Sequence, residues 1–133
     1  MRYLFLLLLS FGVYAEDIQI KRVVDGDTFI VSAPFLPDPL KKEMRFRLSD
    51  VDTPGINRWA NCDKENRMGY VVRGYVEKLI KESKEHRVKI VGVDKYGRWL
   101  GQIYLDGKSL SDNLVQKNLA RHYYGGKKLG WCN

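Results

Sequence analysis

The sequence is short of the residues that build metal cages. Cys62 and Cys132 are its two cysteines and His86 and His122 its two histidines. None stands at a zinc-ligand spacing from another, which excludes a structural or catalytic zinc site of the usual kind. Three of its four prolines fall between Pro34 and Pro39, so chain-breaking punctuation is concentrated in one segment. There is no internal repeat and no low-complexity tract, which leaves a chain of 133 residues as one ordinary domain. One long apolar run exists, in MRYLFLLLLSFGVYA at the start, and it falls short of the roughly 20 residues a spanning helix needs.

That run is better accounted for as a leader. Arg2 supplies the positive end, the apolar stretch follows, and Ala15 precedes Glu16 and Asp17, the anatomy of a cleavable signal peptide over residues 1–15. The reading implies an exported chain, periplasmic or secreted, whose domain spans 16–133 and which keeps no stable membrane association after cleavage. An uncleaved envelope anchor is the alternative. Acidic residues are outnumbered, 16 against 23 basic, for a net charge of +7, one unit less once Arg2 departs with the leader. Such a surplus on a small domain suits a polyanionic partner, either nucleic acid or an anionic membrane surface. In an oxidising compartment the two cysteines read as one disulfide, closing a loop of about 70 residues and contributing ~4 kcal/mol.

Beyond the leader, hydropathy alternates through DIQIKRVV and DTFIVSA on either side of Asp25-Gly26, which predicts a hairpin with strands near 17–24 and 27–32. PFLPDPLKKE then makes an irregular excursion. In MRFRLSDVD a strand resumes, and Thr53-Pro54-Gly55 ends it. Met68, Val72, Tyr75, Val76, Leu79 and Ile80 recur at helical spacing and predict an amphipathic helix over about 64–82. Strands RVKIVGV and RWLGQIYL follow around an Asp94-Lys95-Tyr96-Gly97 turn. Asp106-Gly107 then leads to Ser109 or Ser111 as the cap of a helix running to about Leu119. The tail ARHYYGGKKLGWCN is expected to be irregular. This order is that of a mainly β, α+β OB-type fold: a five-stranded barrel with one helix between strands 3 and 4 and another near the C-terminus.

Several side chains in this frame could carry chemistry. Asp27 opens a strand, where Asp is a poor residue. Asp50 and Asp52 stand two apart and share a face if the strand stays regular. A carboxylate followed by Thr53-Pro54 offers the oxygen donors that hard cations such as calcium take. Arg47 and Arg98 offer guanidinium forks for phosphate oxygens.

Taken together, VVDGDTFIV, FRLSDVDTPG and DKYGRWLGQIYLDG, in that order and divided by a helix, resemble the staphylococcal nuclease family from about Ile18 to Tyr124. The resemblance implies that Asp27 and Asp52 bind Ca2+, with Thr53 lending its main-chain carbonyl. It implies that Arg47 and Arg98 grip the scissile phosphate, that Lys95 and Tyr96 contact a nucleotide, and that Tyr124 sits near another phosphate-contacting tyrosine. Family members hydrolyse phosphodiester bonds of DNA and RNA without strict sequence preference, so the expected partner is DNA or RNA and the expected state a monomer. The ending GGKKLGWC, with Cys62 ahead of Glu65, is similar to exported members whose cysteine pair ties tail to helix.

One departure matters. After Asp-Thr-Pro the family pattern has Glu as the general base, and this chain has Gly55. A positioned base contributes a factor of about 10²–10⁴ in rate, so the expectation is a weak nuclease, with a binding module that has lost turnover as the alternative. Asp50, Asp63 and Glu65 are the acids near enough in sequence to substitute, and Asp25 could act on the cation site through a neighbouring group.

Overall fold

A computed structural model describes residues 18–133 of the protein. The leader read over 1–15 lies outside the described residues. The chain forms strands β1 (Gln19–Asp25), β2 (Thr28–Ser32), β3 (Glu43–Leu48) and β4 (Val51–Asp52), a 3-10 turn (Asn57–Trp59), and helix α1 (Asp63–Glu82). Strands β5 (His86–Val93), β6 (Trp99–Leu105) and β7 (Lys108–Ser109), helix α2 (Leu110–Gln116) and strand β8 (Arg121–His122) complete it.

The main sheet runs β1-β2-β3-β6-β5, with β7 added to β6, and all its pairs are antiparallel except β3 with β6. It curls into a half barrel, and the edge strands β1 and β5 approach one another without pairing. The result is the mainly β, OB-type arrangement the sequence predicts, with α1 between the third long strand and the fourth. Phe29, Val31, Phe46, Leu48, Val51 and Ile103 fill the hollow, and Val72 and Val76 of α1 and Leu110 and Leu114 of α2 close it. Gly101 is a packing requirement, because a Cβ there would lie 1.9 Å from the Lys89 carbonyl oxygen.

Local details differ from the sequence expectation in three places. Asp50 and Asp52 do not share a face. The chain bends at Ser49 and Asp50 between β3 and β4, so Asp50 turns to α2 and accepts a 2.8 Å hydrogen bond from Ser111 Oγ. Helix α2 is capped by Ser109, whose Oγ accepts from Asp112 N–H. It ends at Gln116 because Asn118 takes a left-handed φ of 57° and Leu119 N–H bonds back to the Leu114 carbonyl, a Schellman-type stop that satisfies the last carbonyls. The tail is not wholly irregular either, since β8 pairs with β4, Val51 opposite His122 and Asp52 opposite Arg121. No helix among the described residues is long and apolar enough to cross a membrane.

Candidate active site

At one end of the half barrel the β1–β2 hairpin, the β3–β4 bend, the 3-10 turn, the β5–β6 turn and the C-terminal tail surround a cavity of about 540 Å3. Asp25, Asp27, Arg47, Asp52, Thr53, Glu65, Tyr96, Arg98, Lys128 and Trp131 are among its lining residues. Of the residues singled out from sequence, Asp27, Arg47, Asp52, Thr53, Tyr96 and Arg98 are thereby brought together. None of residues 34–43 lines it, so the proline-rich excursion lies off this site.

The hairpin positions Asp27. Asp25 pairs with Thr28 across a two-residue loop, and Gly26 is there for closeness: a Cβ would meet Val72 Cγ1 at 2.5 Å and Thr53 Oγ1 at 2.9 Å. That closeness lets the buried Asp27 carboxylate accept from Thr53 N–H at 3.0 Å and from Thr28 Oγ1 at 2.9 Å. Arg47, on β3 opposite Thr28, donates Nη1–H to the Leu48 carbonyl at 2.9 Å. Its Nη2 lies 3.5 Å from Asp27 Oδ2 and 3.7 Å from Asp52 Oδ1. The guanidinium is buried and rests 5.5 Å from the Tyr123 ring centroid. These contacts fix its orientation in the site.

Arg98 is held from the other side. Asp94 accepts from Tyr96 N–H, Arg98 N–H and, at 2.7 Å, Arg98 Nε. Anchoring through Nε leaves the terminal pair as the working end of the fork. Burial raises the Asp94 carboxyl, but these hydrogen bonds outweigh it and hold the group below its ordinary value. Tyr96 is largely exposed and lies beneath both Lys95 and Arg98. Lys95 itself does not reach the cavity wall. Tyr124, 80 % exposed, stacks on His122 away from the cavity; Tyr123 is the tyrosine in contact with Arg47.

Four further residues belong to the site and escaped the sequence reading in whole or part. Glu65 is 4 % exposed; its Oε2 accepts from Gly55 N–H at 2.8 Å and its Oε1 from Asn61 N–H at 3.0 Å. Asp63, by contrast, does not line the cavity. Burial, and then the adjacent Asp27 charge, push the Asp25 carboxyl up to about 8. Lys128 Nζ lies 3.2 Å from Asp52 Oδ1, and Trp131 Nε1–H donates to Asp52 Oδ2 at 3.1 Å. The signal for the last two was the cysteine pair: Cys62 follows the DTPG bend closely, so a Cys62–Cys132 bond, which the structure contains, must bring the tail beside it.

The donor set suits a hard cation. Two buried carboxylates face each other across Arg47, and Thr53 Oγ1 is buried with no hydrogen-bond partner among the described residues, so the ligand atoms these three residues offer are oxygens. Among the described residues no three His, Cys, Asp or Glu side chains gather into a cage. A cation here would draw on Asp27, Asp52 and Thr53 and complete its shell from water or phosphate.

Comparison with known proteins adds to this geometry. Residues 45–129 match the family described as staphylococcal nuclease homologue. The chain is 35% identical over 85 residues to staphylococcal-like nuclease CAN1 of Arabidopsis thaliana, covering 63% of this chain and 23% of that protein. It is 31% identical over 114 residues to endonuclease YncB of Bacillus subtilis, covering 81% and 48%. With the B. subtilis prophage-derived endonuclease YokF the identity is 32% over 114 residues, covering 81% and 34%. The chain thus spans from about a quarter to about half the length of these relatives. With the matched segment running over more than half the sequence and carrying Arg47, Asp52, Thr53 and Arg98, the chain belongs to the staphylococcal nuclease family.

Proposed function

We propose that the protein is an exported, calcium-dependent nuclease that hydrolyses phosphodiester bonds of DNA and RNA. The observation that carries the reading is the buried Asp27–Arg47–Asp52 cluster opening, with Arg98, on one cavity. Barrel stability alone gives no reason to bury two carboxylates and a guanidinium together, since apolar residues of similar volume do as well or better. Export is supported by the leader-like segment and by the disulfide.

In this reading Arg47 and Arg98 bind the scissile phosphate from two sides and stabilise the charge that grows on its oxygens. Bound at Asp27, Asp52 and Thr53, calcium would polarise a phosphoryl oxygen and acidify water. Glu65 takes over the work of the family's missing glutamate. It is the buried carboxylate bonded to Gly55, each of its oxygens keeps a second acceptor lone pair, and its two main-chain partners fix its orientation.

The test is hydrolysis of heat-denatured DNA by the full, oxidised chain with calcium and with chelator. Cleavage is expected with calcium alone. It should fall about 10²–10³-fold in Arg47→Lys, which keeps the buried charge and loses the fork, and by a factor of about 10²–10⁴ in Glu65→Gln. DNA that is bound and never cut by the wild-type chain would replace this reading with that of a binding module, which the presence of Gly55 favours.

A further inference from the structure

The C-terminal tail enters the site at a position the nuclease reading leaves unused. After β8, Tyr123 N–H bonds to the Asp50 carbonyl, and Gly125 and Gly126 take φ values of 96° and 86°, a left-handed pair open to glycine. The chain doubles back there, with Tyr123 Oη–H donating to the Gly126 carbonyl. Lys128 then lies with its Nζ 5.5 Å from the Tyr123 ring, on the same ring that flanks Arg47. Trp131 is buried beneath Arg121, whose guanidinium stacks on the indole at 3.8 Å and bonds to the Gly130 carbonyl. Cys132 closes the arrangement by its bond to Cys62, the cap of α1, and Lys64 Nζ donates to the Asn133 carbonyl.

This much anchoring at residues 130–133 holds one half-exposed ammonium at the cavity mouth. Lys128 is 53 % exposed at the side chain and sits on Asp52 Oδ1. Asp27 and Asp52 lie against Arg47, and Lys128 adds a second cation on Asp52. Any cation that takes Asp52 leaves Lys128 in surplus, a point charge on a flexible stem at the rim where a nucleic-acid strand must pass. Lys127, one residue away, does not line the cavity.

Resting on the nuclease reading, we propose that Lys128 is a further substrate-binding residue, a third phosphate-contacting cation beside Arg47 and Arg98, and that the Cys62–Cys132 bond holds it in place. The ligand is a backbone phosphate of single-stranded nucleic acid.

The experiment is equilibrium binding of a cleavage-resistant phosphorothioate oligothymidylate to the full, oxidised chain in calcium, across a series of salt concentrations. Lys128→Ala should weaken binding about tenfold and reduce the slope of log K against log salt by about 0.7, the value of one phosphate contact on a single strand. Lys128→Arg should restore the slope. Lys127→Ala should leave both quantities within about twofold of wild type. Cys132→Ser should reproduce Lys128→Ala, and combining the two should weaken binding no further. A wild-type slope in Lys128→Ala, an equal loss from Lys127→Ala, or a Cys132→Ser protein that binds as wild type would each overturn the proposal. A slope is readable whether or not the protein turns over, so a wild-type chain that binds without cutting would remove the nuclease reading and leave the role of Lys128 measurable.

Discussion

A Cβ built on Gly55 would lie 2.5 Å from the Trp59 carbonyl oxygen and 3.2 Å from Trp59 Cβ, so the 3-10 turn presses on the backbone at the position where the motif resemblance leads one to expect a glutamate. The motif resemblance makes Gly55→Glu look like a restoration; the packing makes it an intrusion. Any side chain at 55 must displace main-chain atoms of the turn, and Gly55 N–H is already committed to Glu65. Gly55→Glu should therefore lower stability by about 1–3 kcal/mol, the usual range for overpacking, and leave calcium-dependent cleavage no higher than wild type. A urea titration read beside a DNA-cleavage assay checks both. A gain of about a hundredfold in rate would mean that the turn yields easily and that the missing glutamate, rather than Glu65, is what the site needs.

The five-residue span from Asp94 to Arg98 shows what an element adds to a residue. Its Asp-x-x-Gly form was legible as a turn, and Gly97 does take a φ of 79°. The purpose of Asp94 was not legible, because its three acceptor contacts to Tyr96 N–H, Arg98 N–H and Arg98 Nε exist once the turn is closed. Asp94→Ala should loosen the turn and the Arg98 fork together, lowering kcat/KM by about 10²-fold while the melting temperature moves little. Steady-state kinetics with a thermal melt separates this from general unfolding, and unchanged kinetics would mean Arg98 is positioned without Asp94. The carboxyl is held below its ordinary value, so this anchor is complete above the unfolded value of 3.8 and is lost only as pH falls through the lower folded one. The long elements were readable for a related reason: α1 and the hairpins have their periodicity written in local sequence. The β4–β8 pairing, the turn of Asp50 toward Ser111 and the seat of Lys128 on Asp52 join residues some 60 to 80 positions apart, and no local pattern encodes such contacts. The positions proposed here for a metal and for phosphate were nameable because motifs resembling the family's mark them; Glu65 and the tail residues lie outside those motifs.

Across the whole molecule, a chain of net charge +7 concentrates its buried acids at one end, and this has a consequence for stability. Asp25 is the sharpest case, its carboxyl raised to about 8 by burial and then by Asp27. An unfolded chain releases that proton near the ordinary value of 3.8, whereas the folded one keeps it until about 8. Between those values the unfolded state binds fewer protons than the native state, so this group makes stability fall as pH rises and leaves it level above the folded value. The direction is opposite to that of Asp94 and Asp106, whose lowered values add stability that disappears only in acid. In chelator, where no cation offsets the Asp25–Asp27 repulsion, the wild-type melting temperature should decline from about pH 4 to about pH 8. Asp25→Asn keeps a neutral side chain able to accept from Asp27 N–H, as Asp25 Oδ1 does at 3.2 Å, and cannot ionise. It should match wild type near the acid end of the window and exceed it increasingly toward the alkaline end. Thermal melts of both proteins across that range decide the matter: parallel curves would show that the fall comes from other groups and that this end of the barrel tolerates its three aspartates without strain.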